Sequence, residues 1–200
     1  GQYTNISGAS SCSACAPGTF SSTSGASACD QCPTGGYCPD AGASSALVYR
    51  QCPAGYYNPT MGASSNASCT GCPVGTANPV PGSSNGTIMC RNCLPGSVAF
   101  QTGTDVCPQC PAGKFMRDYG RTACHACTAG FYCKQGSSEP RPCPAGQFSS
   151  STGLYSPGEC TYVAIGFWAP LGSRFPEPCP TSGFYCPGAL RDPLYQGAKP

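Results

Sequence analysis

Charge is scarce in this chain: Asp, Glu, Lys and Arg make up 9% of its 200 residues, and His125 is the single histidine. The basic residues are scattered singly and the formal net charge is +2. No basic stripe is therefore offered to nucleic acid or to an anionic membrane. Long apolar runs are missing too. The longest, residues 163–169, falls far short of the roughly 20 residues a membrane helix needs, so no membrane insertion is expected from this segment. The acids Asp30, Asp40, Asp105, Asp118, Glu139, Glu159, Glu177 and Asp192 are dispersed, and no Ser or Cys has an evident His partner. Without a nucleophile, base or carboxylate pair, no catalytic site and no cofactor are expected. Helix signals are nearly absent as well.

What the chain does hold is 27 Gly, 22 Pro and 19 Cys. The cysteines fall as C-x-x-C pairs with a period of about seventeen residues: Cys12/Cys15, Cys29/Cys32, Cys69/Cys72, Cys90/Cys93, Cys107/Cys110 and Cys124/Cys127. Fixed self-similarity at this period marks a repeat array, in which each unit touches mainly its neighbours. Units of about 20 residues cannot offset their conformational entropy with a core of their own, so covalent cross-links must contribute. Disulfides at such density persist in an oxidising compartment, which places the protein outside the cell or at its surface.

Aligned on C-P-x-G, then one residue, then an aromatic, the chain gives ten units beginning at Cys15, Cys32, Cys52, Cys72, Cys93, Cys110, Cys127, Cys143, Val163 and Cys179. Proline presets φ and glycine supplies a positive φ, so each motif is a tight turn. Rings recur two residues later (Phe20, Tyr37, Tyr57, Phe115, Tyr132, Phe148, Trp168 and Tyr185), with Ala77 and Val98 in weaker units. Each ring is read as packing on a neighbouring disulfide. A second glycine follows between Ser/Thr-rich arms, so each unit reads as a short irregular β-hairpin. The expected fold is a small disulfide-rich repeat array, an elongated rod of such hairpins with almost no helix.

The irregular units bear on connectivity. If the second Cys of each pair bonds the first Cys of the next, the bonds are Cys15–Cys29, Cys52–Cys69, Cys72–Cys90, Cys93–Cys107, Cys110–Cys124 and Cys143–Cys160. Each closes a loop of roughly 15 residues, contributing about 3 kcal/mol in the chain-entropy model. Where the return cysteine is missing, at Tyr49 and Pro140, an extra one stands upstream at Cys38 and Cys133, which gives Cys32–Cys38 and Cys127–Cys133. Cys179–Cys186 completes the set. Val163 and Pro176 have lost both ends of one bond together, and Ile165, Phe167, Trp168, Leu171 and Phe175 fill the gap with the most apolar segment of the chain. Packing is expected there in place of a cross-link, and Ile165, Phe167, Trp168 and Phe175 are candidates for an assembly contact. Cys12 is left over. Its partner lies in preceding sequence, on another molecule, or nowhere; the ladder rule points it backwards, so a longer parent chain is expected. The domain reading is 1–11 as continuation of a preceding repeat, 12–162 as tandem cysteine-rich repeats, 163–178 as a degenerate apolar repeat without its disulfide, and 179–200 as the final repeat and C-terminal segment.

Asn5-Ile6-Ser7, Asn66-Ala67-Ser68 and Asn85-Gly86-Thr87 fit the N-glycosylation pattern and lie in predicted loops, whereas Asn58 and Asn78 precede proline and are excluded. C-x-x-C followed by C-x-x-C approaches a four-thiolate zinc spacing. The secretory context, the coupled loss at Val163 and Pro176, and a ladder that does not break into fours argue against metal. His125, inside a C-x-x-C pair, reads as a spacer.

The C-P-A-G-K-F segment running to Cys124, the C-P-A-G-Q-F segment running to Cys160 and the C-P-x-G-[GF]-Y-C form resemble the ephrin-receptor-like cysteine-rich repeat over residues 12–190. The resemblance implies an elongated disulfide ladder in an extracellular protein, as in the similar tumour-necrosis-factor-receptor modules. The low-charge, Ser/Gly-rich variant is similar to arrays in long algal and protist surface proteins, including flagellar-hair (mastigoneme) glycoproteins. The function expected is that of an extracellular structural glycoprotein, a stiff rod that self-associates into a filament, flagellar hair, wall or coat. The alternative is a receptor or adhesion ectodomain that uses the repeats as spacer or ligand-binding stalk.

Overall fold

The computed structural model describes residues 1–45, 48–180 and 185–188. Its regular structure is a succession of two-residue strands paired antiparallel into nine separate two-stranded hairpins among the described residues. In chain order these are β1 (Gln2–Tyr3) with β2 (Ser13–Ala14), β3 (Thr19–Phe20) with β4 (Asp30–Gln31), β5 (Gly36–Tyr37) with β6 (Arg50–Gln51), β7 (Tyr56–Tyr57) with β8 (Thr70–Gly71), and β9 (Thr76–Ala77) with β10 (Arg91–Asn92). They continue as β11 (Lys114–Phe115) with β12 (His125–Ala126), β13 (Phe131–Tyr132) with β14 (Arg141–Pro142), β15 (Gln147–Phe148) with β16 (Thr161–Tyr162), and β17 (Phe167–Trp168) with β18 (Glu177–Pro178). A lone antiparallel bridge, Ser97 to Gln109, marks a further hairpin. One turn of helix, α1 (Gly86–Met89), and short 3-10 turns such as Asn66–Ser68 complete the described residues. This is the disulfide-rich array of short hairpins that the sequence predicts.

Two compact units result: residues 1–93 with 99–107, and residues 94–98 with 108–200. Strands of two residues cannot stand alone, and in both units the same two backbone bonds join each hairpin to the next. The glycine of each C-P-x-G turn donates its N–H to the carbonyl one residue past the next hairpin's ring position. In the first unit Gly18 donates to Cys38, Gly35 to Asn58, Gly55 to Asn78 and Gly75 to Ala99, at 2.7–2.8 Å. In the second, Gly113 donates to Cys133, Gly130 to Ser149 and Gly146 to Ala169, each at 2.8 Å. The tip glycine returns a bond to the cysteine opening the preceding hairpin, as in Gly62 to Cys32 and Gly153 to Cys127, both 2.8 Å. Within each compact unit, buried backbone groups are thereby satisfied between neighbouring hairpins.

Gly55 shows why these positions are glycine. Its φ is +85°, and a Cβ there would strike the carbonyl of Gly103, the tip glycine two hairpins on. The turns at Gly18, Gly35, Gly96, Gly113 and Gly130 meet the tip glycine two hairpins on in the same way. Gly1 belongs to the same series: its carbonyl accepts from Cys15 N–H at 2.9 Å, as Gly18 accepts from Cys32 at 2.8 Å. The first hairpin thus spans β1 and β2, with Cys12 just before its return strand.

The core is a string of small clusters. Nearly every C-P-x-G cysteine is fully buried. Tyr132 packs on Cys143, Leu154 and Cys160; Cys124 packs on Val98, Cys110 and Met116; Phe148 and Trp168 pack on Val163 and Ala169.

Candidate functional site

Nine disulfides link the described residues: Cys15–Cys29, Cys32–Cys38, Cys52–Cys69, Cys72–Cys90, Cys93–Cys107, Cys110–Cys124, Cys127–Cys133, Cys143–Cys160 and Cys179–Cys186. Their Cα–Cα distances of 5.5–5.9 Å lie in the normal disulfide range. Cys12 is exposed and unbonded.

The position after each ring is a buried slot, and its occupant decides how the hairpin is closed. Cys38, Cys133 and Cys186 fill it in the three short-loop disulfides. Asn58 and Asn78 fill it elsewhere, both completely buried. The Asn58 amide donates to Gly36 O at 2.8 Å while its Oδ1 accepts from Thr60 N at 2.9 Å. Asn78 donates to Tyr56 O and to Ser83 Oγ and accepts from Val80 N. Both asparagines are followed by proline, which excludes them as glycosylation acceptors. The same N-P step that forbids glycosylation holds the Asx turn in which each serves as a polar clamp.

The hairpin that begins at Cys32 lacks a return cysteine, and Tyr49 takes over part of that work. Its hydroxyl donates to Thr34 O at 3.0 Å, and its ring lies where a Cβ on Gly36 would be. Burial pushes the Tyr49 phenol above its ordinary value.

The apolar segment 163–178 differs from its expected packing. Val163 is 1% exposed and packs with buried Ala169, flanked by Phe148 and Trp168. Val163 and Ala169 are spaced as Cys32 and Cys38 are, so the contact that stands in for a bond uses the short-loop slot rather than position 176. Ile165 (71% exposed), Leu171 and Phe175 (61% exposed) take no part in that packing, and Phe167 is exposed too. Of the four residues named as an assembly contact, Ile165, Phe167 and Phe175 face outward while Trp168 belongs mainly to the cluster. Arg174 stands over the Phe175 ring, 5.8 Å from its centroid.

Asn5, Asn66 and Asn85 are all exposed. Asn5 follows β1; Asn66 opens its 3-10 turn; Asn85 caps α1, its side chain accepting from Thr87 N at 3.0 Å and Ile88 N at 3.4 Å. His125, on β12, sits opposite Phe115, with ring centroids 6.2 Å apart. Among the described residues no helix is long and apolar enough to cross a membrane.

No curated protein matches the chain. Residues 1–47 match the family model described as "Tyrosine-protein kinase ephrin type A/B receptor-like". Together with the nine disulfides that run on beyond it, this match makes the chain similar to the cysteine-rich repeat arrays of that family, which belong to extracellular domains.

Proposed function

We propose that this chain is part of an extracellular structural glycoprotein, a stiff rod of tandem repeats that assembles with copies of itself into a filament, flagellar hair, wall or coat. Residues 12–162 supply the cross-linked repeats, and 163–178 supply the contact. The reading rests on one observation: Ile165, Leu171 and Phe175 are exposed together in the β17–β18 hairpin, which is closed without a disulfide. With Phe167 they make four large exposed apolar side chains, against three on the hairpins opened by Cys72 and Cys93, and such a patch on a sparsely charged array favours burial against another molecule. Sugars on Asn5, Asn66 and Asn85 would supply solubility that sparse charge does not.

Electron microscopy of native, unreduced material tests the proposal. Regular filaments or hairs that shorten in the Ile165→Ser/Phe175→Ser variant are the expected result. Isolated rods that bind a saturable ligand would instead make the chain a receptor or adhesion stalk and overturn the assembly reading.

A further inference from the structure

Two of the three acceptor asparagines line depressions: Asn85 one of about 340 Å³ that holds no aromatic ring, and Asn66 one walled by tyrosines. Asn66 lines a depression of about 380 Å³ together with Tyr37, Pro53, Tyr56 and Cys69. That volume falls at the lower end of the range for small-molecule sites. Two half-buried phenol rings and a proline ring form the walls, and Cys69, bonded to Cys52, lies at the same surface. The acceptors differ in what their side chains do. Asn85 already uses its Oδ1 to cap α1, whereas the Asn66 side chain makes no hydrogen bond and only its carbonyl is engaged, by Cys69 N–H at 3.0 Å.

We propose that this cleft seats the first sugar of an N-linked glycan on Asn66, with the apolar face of an N-acetylhexosamine stacked on Tyr37 and Tyr56 and covering the Cys52–Cys69 disulfide. The inference rests on the glycoprotein reading above. Attachment is a substitution at the anomeric carbon: Asn66 Nδ2 forms the new C–N bond, the diphosphate of an activated sugar donor leaves, and the amide loses one proton. A pyranose presents axial C–H groups on one face, and these meet the electron-rich face of an aromatic ring favourably. Tyrosine offers that face at low entropic cost, having few rotatable bonds. Tethering the sugar at the rim makes stacking intramolecular, so weak contacts suffice to hold it. The acceptor side chain is free, and two tyrosines and a proline line the cleft beside it.

The test compares enzymatic release of the Asn66 glycan by an amidase that cleaves the sugar–asparagine bond, on the secreted native protein and on the same protein reduced and denatured. Release from the native protein should be slower by about tenfold. Tyr37→Leu/Tyr56→Leu should abolish the difference, and Tyr37→Phe/Tyr56→Phe should preserve it, with unchanged disulfide-linked peptides showing that both variants fold. Equal release from the two states, or a difference that persists in the leucine variant, overturns the seat and leaves the glycoprotein reading standing. A bare Asn66 with sugar on Asn5 or Asn85 does the same. A protein without sugar at any of the three positions overturns both.

Discussion

Val163 packs on Ala169 in the same slots in which Cys32 and Cys127 are bonded to Cys38 and Cys133. The two cystine units hold their partners at a Cα–Cα distance of 5.9 Å. Val163→Cys/Ala169→Cys is therefore expected to oxidise to an additional disulfide without disturbing the others. A loop this short contributes about 2 kcal/mol in the chain-entropy model. Thiol counts on the unreduced variant check that the bond forms, and a shift of the denaturant midpoint to higher concentration checks its effect. Two free thiols beyond that of Cys12 in the folded variant would show that the slot is not equivalent.

Trp168 and Phe175 lie in the same hairpin but play opposite parts. Trp168 is half-buried against Val163 and Ala169, so Trp168→Ser should cost about 2 kcal/mol of stability, roughly half of what a fully buried tryptophan loses. Phe175→Ser, at an exposed position, should change stability by no more than about 0.5 kcal/mol. Filament length should respond to Phe175→Ser at unchanged stability. A variant at Trp168 alone cannot separate folding from assembly.

Tyr49→Phe removes the hydroxyl that donates to Thr34 O, at a cost of about 1 kcal/mol near neutral pH. The sign of its pH dependence follows from the raised phenol. Because the folded-state value lies above the ordinary 10.0, the folded protein keeps the Tyr49 proton where the unfolded chain has begun to lose it. The stabilisation is complete below pH 10 and declines as pH rises through the folded-state value. Denaturant midpoints of wild type and Tyr49→Phe should differ at neutral pH and converge in strong alkali. A gap that widened with pH would contradict the assignment.

Asn58→Ala leaves Gly36 O and Thr60 N without their amide partner in a fully buried slot, and should cost about 2–3 kcal/mol. Asn58→Cys tests the slot differently. It places a thiol six residues after Cys52, where it competes with Cys69, and non-reducing peptide mapping would then show Cys52 divided between two partners. Mapping the unchanged protein is the companion measurement, in which a Cys15–Cys32 or Cys12–Cys29 linkage would break the ladder.

The turns and rings are legible in the sequence because each imposes a chemical requirement on one residue. A positive φ with no room for Cβ demands glycine at Gly55, and a preset φ favours proline at Pro53. The slot after the ring is not legible in that way. Asn58, Met116, Ala169 and Cys38 share no chemistry, only burial at one place in the hairpin, and that place emerges only once Gly18, Gly35 and their equivalents are seen donating to its carbonyl. Pro176 appears as the lost partner of Val163 because the eye counts cysteines along the return strand; the fold instead sets Val163 against Ala169. Gly1 escapes notice because no cysteine within the sequence precedes it, although the N–H of Cys15 treats its carbonyl as that of any turn glycine.

The missing cross-link at Val163 also has a mechanical side. Under tension, force entering at Cys15 would cross to Cys29 through sulfur, pass the short Asp30–Gln31 step to Cys32, and leave the arms of that hairpin slack. The other disulfides offer the same shortcut; between them the covalent path follows the backbone, and the longest such stretch between bonded cysteines is residues 161–178, from Cys160 to Cys179. Only hydrogen bonds and the Val163 cluster hold that hairpin closed, so its opening breaks no covalent bond and frees a stretch whose extended contour is about 60 Å.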